Sequence, residues 1–191
     1  LIHDVLYQAA RKHFGRPDEV PGAHTRIDGL RHFADVVMVD QTPIGRTTRS
    51  NPVSYVGAWD AIRKLYANTA IARDRKYTPG TFSFNSGNGR CPECGGTGFE
   101  HVEMQFLSDV YLRCPECQGR RYRTEILEVT RLGASSSAYG ALSIADVLDL
   151  TVEDAVEFFE AHPRIHRMLT CIRDVGLDYM KLGQASTTLS G

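Results

Sequence analysis

Arg90-Cys-Pro-Glu-Cys-Gly-Gly-Thr-Gly-Phe99 and Arg113-Cys-Pro-Glu-Cys-Gln-Gly-Arg-Arg-Tyr122 are two copies of one pattern, identical at Arg, Cys, Pro, Glu, Cys and the second Gly. Nineteen residues separate Cys94 from Cys114, within the ~15–20 that let two C-x-x-C pairs close on one zinc ion. A C-x-x-C turn presents two thiolates on one side of a tight knuckle, and tetrahedral zinc needs two facing knuckles. The pattern therefore predicts a four-cysteine zinc module at Cys91, Cys94, Cys114 and Cys117. Four thiolates fill the coordination sphere, so the ion is expected to be structural. Glycines after each second cysteine permit the positive φ that turns backbone N–H groups toward sulfur. Four thiolates on one divalent ion leave about two negative charges, which Arg90, Arg113, Arg120 and Arg121 are placed to offset.

The alternatives for these cysteines are two disulfides or a redox dithiol. Disulfides need an oxidising compartment, whereas His3 and Asp4 interrupt the only apolar stretch near Leu1, so no export signal is read and a cytoplasmic setting is expected. A redox motif would not recur with matching flanks. His101-Val-Glu103 ahead of a C-x-x-C imitates a zinc deaminase. That pattern wants Pro before the first cysteine, where Arg113 stands, and it leaves Cys91 and Cys94 unexplained.

The 191 residues allow one sizeable core plus a smaller module. Composition is ordinary for a globular protein, and no run of about 18 apolar residues predicts a membrane span. The net charge of −1 conceals an uneven distribution: −1 over residues 1–42, +4 over 43–131 and −4 over 132–191. A basic middle between acidic ends points to a local anionic partner, nucleic acid foremost.

Ile2, Val5, Leu6, Ala9 and Ala10 recur at helical spacing and predict an amphipathic helix over 2–14. Val36-Val-Met-Val39 reads as a buried strand of an α/β sheet, followed by a polar turn from Gln41 to Pro52 at the carboxyl end where ligands bind. Trp59, Ile62, Leu65 and Tyr66 predict a helix within 57–76. His101 to Phe106 is strand-like, 133–141 is a small-residue linker, and Thr151 is an N-cap for a helix that presents Val152, Val156 and Phe159 inward before Pro163. Ile165, Met168, Leu169 and Ile172 predict a further helix closed by Gly176, with Cys171 as a small core residue. Tyr77, Phe82 and Phe84 read as packing, with stacking on bases as the alternative. No G-x-x-x-x-G-K-[ST] occurs, so the chain carries no phosphate loop of its own.

Asp40-Gln-Thr-Pro-Ile-Gly-Arg-Thr-Thr-Arg-Ser-Asn-Pro-Val-Ser-Tyr55, Tyr77-Thr-Pro-Gly-Thr-Phe-Ser-Phe-Asn85, the paired knuckles, Phe106-Leu-Ser-Asp-Val-Tyr111 and Val175 to Gly191 together resemble UvrA, the DNA-damage-recognition subunit of the bacterial excinuclease. The resemblance runs in order along essentially the whole chain. It implies an α/β fold: part of the second ATP-binding-cassette half, cut after the phosphate-loop residues and within the Leu-Ser-Gly-Gly signature, with an inserted four-cysteine zinc module and a helical signature subdomain. The implied division is a partial ATP-binding core over 1–50 ending in the Q-loop, a connecting helical segment over 51–77, the zinc module over 78–131 and the signature subdomain over 132–191. Gln41 is then the Q-loop glutamine, and Leu189, Ser190 and Gly191 open the signature, whose helix start suits the γ-phosphate bound by the opposite half.

The implied partners are lesion-containing double-stranded DNA, a second copy of the full-length protein, ATP and Mg2+ in the complete protein, and no membrane; UvrB stays open. Arg46, Arg49, Arg120, Arg121 and Arg123 are the candidate DNA contacts. The 191 residues, without Walker A or Walker B motifs, are not expected to hydrolyse ATP alone. Asp35 in place of a lysine, and the Ser/Ala-rich linker, depart from the family pattern in the direction of a class II paralogue. Two other classes stand beside this reading. One is a free-standing zinc-ribbon or chaperone-type module that binds nucleic acid or protein without ATP coupling, the chaperone type needing four repeats. The other is a transport ATPase, for which the zinc insert has no purpose.

Overall fold

A computed structural model of the chain describes residues 1–39, 49–102, 104 and 110–188. It divides into two units, Leu1–Thr42 and Pro43–Gly191.

In the first unit a π-type turn at Ile2–Tyr7 runs into α1 (Gln8–His13). A short 3-10 turn follows at Leu30–His32. The expected apolar face is not realised: Ile2 and Leu6 are exposed, while Gln8 and Ala10 are buried. The wider π winding, bonded i to i+5, carries residues three apart onto different faces, so the i, i+3, i+4 pattern no longer forms one stripe. The strand expected at Val36–Val39 is also absent, with Val37 77% and Val39 88% exposed. A buried strand needs neighbours to take up its N–H and C=O groups, and the described residues of this unit contain no strand. Asp40 lies outside the described residues.

The second unit is helical, with two short antiparallel hairpins in place of a parallel sheet among the described residues. Asn51 caps α2 (Pro52–Tyr55), accepting from Ser54 N–H at 3.0 Å, with Pro52 at the first helical position, where no N–H is needed. The helix predicted over 57–76 is broken in two, α3 (Ala58–Ala67) and α4 (Ala70–Asp74). The break falls where Thr69 offers its hydroxyl as a new N-cap to Ala72 N–H. Trp59, Ile62 and Tyr66 are buried as the spacing requires.

β1 (Phe99–Val102) pairs with β2 (Val110–Arg113), Phe99 opposite Arg113 and Val102 opposite Val110. After α5 (Thr124–Leu127), β3 (Thr130–Leu132) pairs with β4 (Ala141–Ser143). The residues predicted as a linker are thus the loop of a hairpin. Ser143 and Asp146 form a reciprocal capping box at the start of α6 (Ile144–Asp149). Thr151 caps α7 (Val152–Phe158), and Pro163 opens α8 (Pro163–Asp174), which ends before Gly176 at φ 79°.

One apolar core joins α3, Phe82, Phe84, Tyr122, Ile126 and Val129 to α6, α7, α8 and Leu182. Phe82 and Phe84 are fully buried, which fixes their role as packing. Cys171 is exposed, contrary to expectation, its thiol donating to Arg167 O. The buried stripe of α8 runs through Ile165, Leu169 and Ile172, and Cys171 falls beside it.

Candidate metal centre

The four repeated cysteines meet in a small core of their own. Cys91 and Cys114 sulfurs are 3.9 Å apart and Cys94 and Cys117 sulfurs 3.7 Å apart. All four sulfurs lie within 4.8 Å of one another. A tetrahedron of sulfurs at ~2.3 Å from zinc has edges of about 3.8 Å, whereas a disulfide bond is ~2.05 Å long. The spacing therefore fits four thiolates around one metal ion, and all four cysteines are free of disulfides.

The two sequence copies fold as two equivalent turns. Cys91 N–H donates to Arg121 O at 2.9 Å, and Cys114 N–H donates to Gly98 O at 3.0 Å. Arg90 forms a bridge with Tyr122, just as Phe99 pairs with Arg113. Positive φ recurs at Gly95, Gly96 and Gly98 and at the matching Gln118, Gly119 and Arg121. Each copy thus hands a backbone bond to the other, and this exchange brings the knuckles face to face. Gly98 also donates its N–H to Cys94 Sγ at 3.3 Å.

The protonation tendencies follow from this cage. Burial pushes the Cys117 thiol up to about 12, against the Arg121 N–H that favours the thiolate. Burial raises Cys91 as well. At Cys94 burial is again the largest influence, but the N–H groups of Gly98 and Gly96, with the neighbouring thiols, outweigh it and bring the net value down. Burial disfavours the thiolates, so a cation is the natural counterpart of this donor set.

The arginines are divided by the fold. Arg49 donates to Asn85 O and Gly95 O at 3.5 and 3.2 Å, fastening the start of this unit to the first knuckle. Arg90 reaches Asn85 O and Gly95 O at 3.3 and 3.2 Å. Arg120 is ion-paired with Asp146 and bonded to Ser143 of the capping box. Arg121 is only 7% exposed and turned inward. Arg123 is exposed, with Nε donating to Arg90 O. Gln41, Arg46, Leu189, Ser190 and Gly191 lie outside the described residues. The anchoring partners of Arg49, Arg120 and Arg121 are tens of residues away in sequence, so no local signal announced them.

No family model matches the chain. Along all 191 residues it is 51% identical to UvrABC system protein A of Thermus thermophilus and 50% identical to UvrABC system protein A of Methanothermobacter thermautotrophicus. The crystal structure of UvrA2 from Deinococcus radiodurans superposes with a TM-score of 0.74 at 48% identity, covering 84% of this chain. The chain belongs to the UvrA family. It spans 19% of the length of each of these UvrA proteins. The UvrA match takes in both knuckles, so the cysteine cage lies inside the shared region. No helix among the described residues is long and apolar enough to cross a membrane.

Proposed function

We propose that this chain is the zinc-bearing, signature-side segment of a UvrA-type ATPase that recognises damaged DNA in nucleotide excision repair. The observation that supports it most is identity of about half the residues to UvrABC system protein A from one end of the chain to the other. In this reading Cys91, Cys94, Cys114 and Cys117 hold a structural Zn2+, which supplies cross-linking of the two knuckles. Gln41 and the Leu189-Ser190-Gly191 start of the signature serve ATP and Mg2+ in the complete protein, which works as a dimer in the cytoplasm on lesion-containing duplex. UvrB is a partner to be tested.

The chain's own contribution is mechanical and electrostatic. The basic stretch over 43–131 attracts the phosphate backbone, and lesions are read through duplex shape and deformability more than base edges. Arg46, Arg49, Arg120 and Arg123 are the proposed phosphate contacts, Arg120 and Arg123 exposed and Arg49 half-buried; burial removes Arg121 from the group. The test is fluorescence anisotropy with a UvrA protein carrying this segment, on intact and lesion-containing duplexes across a salt series. Arg46→Ala should weaken binding and lower the salt slope by about one. An unchanged slope excludes Arg46, and equal affinity for both duplexes at every nucleotide state defeats the repair reading.

A further inference from the structure

The two knuckles are near copies, and they part company at one position. In the first copy Gly98 stands at φ 83°. In the second copy the same place is taken by Arg121 at φ 71°. That left-handed region suits glycine and is unfavourable for a residue with a side chain. The backbone duties are identical, so a glycine would serve the knuckle as well. The arginine side chain therefore does something the knuckle itself does not need.

Its course is well defined. The guanidinium lies over the Phe84 ring at 5.1 Å and donates through Nη2 to Gly183 O at 2.9 Å. Nη1 is buried without a hydrogen bond among the described residues. Burial pulls the guanidinium below the usual arginine range, and the same residue's backbone O accepts from Cys91 N–H at 2.9 Å, so one residue spans the cysteine cage and Gly183. A buried cation of this kind requires compensating negative charge, which a metal-tetrathiolate set of about two negative charges provides. Gly183 belongs to a stretch pinned by its backbone: Gly183 N–H to Leu148 O and Leu182 N–H to Leu150 O, at 2.8 and 2.9 Å. Ser186 N–H further along it donates to Ser50 O at 2.8 Å.

We propose that Arg121 is a positioning residue that ties the four-cysteine centre to the backbone at Gly183, so that the loaded centre sets the order of residues 181–188. This rests on the metal reading above. The Arg121 backbone closes the second knuckle by accepting from Cys91 N–H, its guanidinium holds the Gly183 carbonyl, and residues 181–188 are held with it. Arg121 acts through Gly183 and touches no reacting group.

The experiment uses the 191-residue chain, with zinc measured by atomic absorption and amide exchange followed at Leu182, Gly183 and the amides of α8. The wild type should carry one zinc and protect Leu182 and Gly183. Arg121→Met should keep its zinc and its α8 protection, yet exchange at Leu182 and Gly183 on the order of tenfold or more faster, as loss of a charged hydrogen bond implies. Chelation should accelerate these two amides in the wild type and add little in Arg121→Met. Arg121→Lys, which keeps the charge, should fall between them, and Arg123→Met should match the wild type. Wild-type exchange in zinc-loaded Arg121→Met, or an equal effect of chelation in both proteins, overturns the link. If Arg121→Met loses α8 protection, the same two comparisons on Arg121→Lys decide. A zinc-free wild type sinks the metal reading itself, a result distinct from zinc present but uncoupled.

Discussion

The Tyr122 hydroxyl donates to the Phe82 carbonyl at 2.8 Å, and both rings are fully buried. Tyr122 closes the second copy of the cysteine repeat; its counterpart in the first copy, Phe99, is 42% exposed on β1. One repeat position thus serves as an anchor in the core and, in the other copy, as a surface residue on a hairpin. Tyr122→Phe leaves the buried Phe82 carbonyl unpaired and should cost about 1–3 kcal/mol in urea unfolding. Phe99→Tyr should stay within about 0.5 kcal/mol. Equal losses at the two positions would contradict this asymmetry.

Burial pushes the Tyr66 and Tyr122 phenols well above the ordinary tyrosine range, Asp146 adding to the rise at Tyr66. The folded chain keeps these protons while the unfolded chain releases them near pH 10. Their contribution is therefore fully present below that pH and is lost progressively as pH rises from there toward the folded-state range. Denaturant midpoints measured from about pH 8 to about pH 11 should decline above about pH 10. The double variant Tyr66→Phe, Tyr122→Phe should flatten the decline; the same fall in both proteins would assign it to other groups.

Metal removal should act on the knuckles and spare the helices. The cysteines form a core separate from the one that unites α3, α6, α7 and α8. Cys114→Ser should abolish stoichiometric zinc, and a chelator should unfold the two cysteine knuckles, where binding is worth on the order of 10 kcal/mol in peptide systems. Far-UV circular dichroism should retain the α6–α8 signal. Its collapse on chelation would show that the helices depend on the metal.

Leu169 and Cys171 are near neighbours on α8 with opposite surroundings, the first fully buried and the second exposed. Leu169→Ala should cost about 2–5 kcal/mol, and Cys171→Ala less than about 0.5 kcal/mol. A thiol reagent should label Cys171 in the native chain; protection of that thiol would place it inside the core.

What was legible in the sequence was local or repetitive. The Cys pairs, with glycines at matching offsets, announced facing turns because each turn is completed within a few residues. Thr151 as a cap, and the Trp59-Ile62-Tyr66 and Ile165-Leu169-Ile172 stripes, were equally clear, since capping and helical period are short-range. The break at Thr69 was not, because a threonine hydroxyl that competes for a backbone N–H is compatible with either helix continuation or a new cap. Nor was the fate of Val36–Val39, whose apolar run fits a strand only when neighbouring strands exist to pair with it.

The amino-acid order alone determined that four cysteines would converge on one ion-sized space, because spacing and turn chemistry leave the chain little other choice. Only the tertiary structure decided what the arginines do: Arg121 went inward to Gly183, Arg120 to Asp146, Arg49 to the first knuckle. A guanidinium carries the same charge wherever it stands in a sequence. Its role depends on which carbonyl or carboxylate the folded backbone brings within about three ångströms, and those partners come from segments far along the chain.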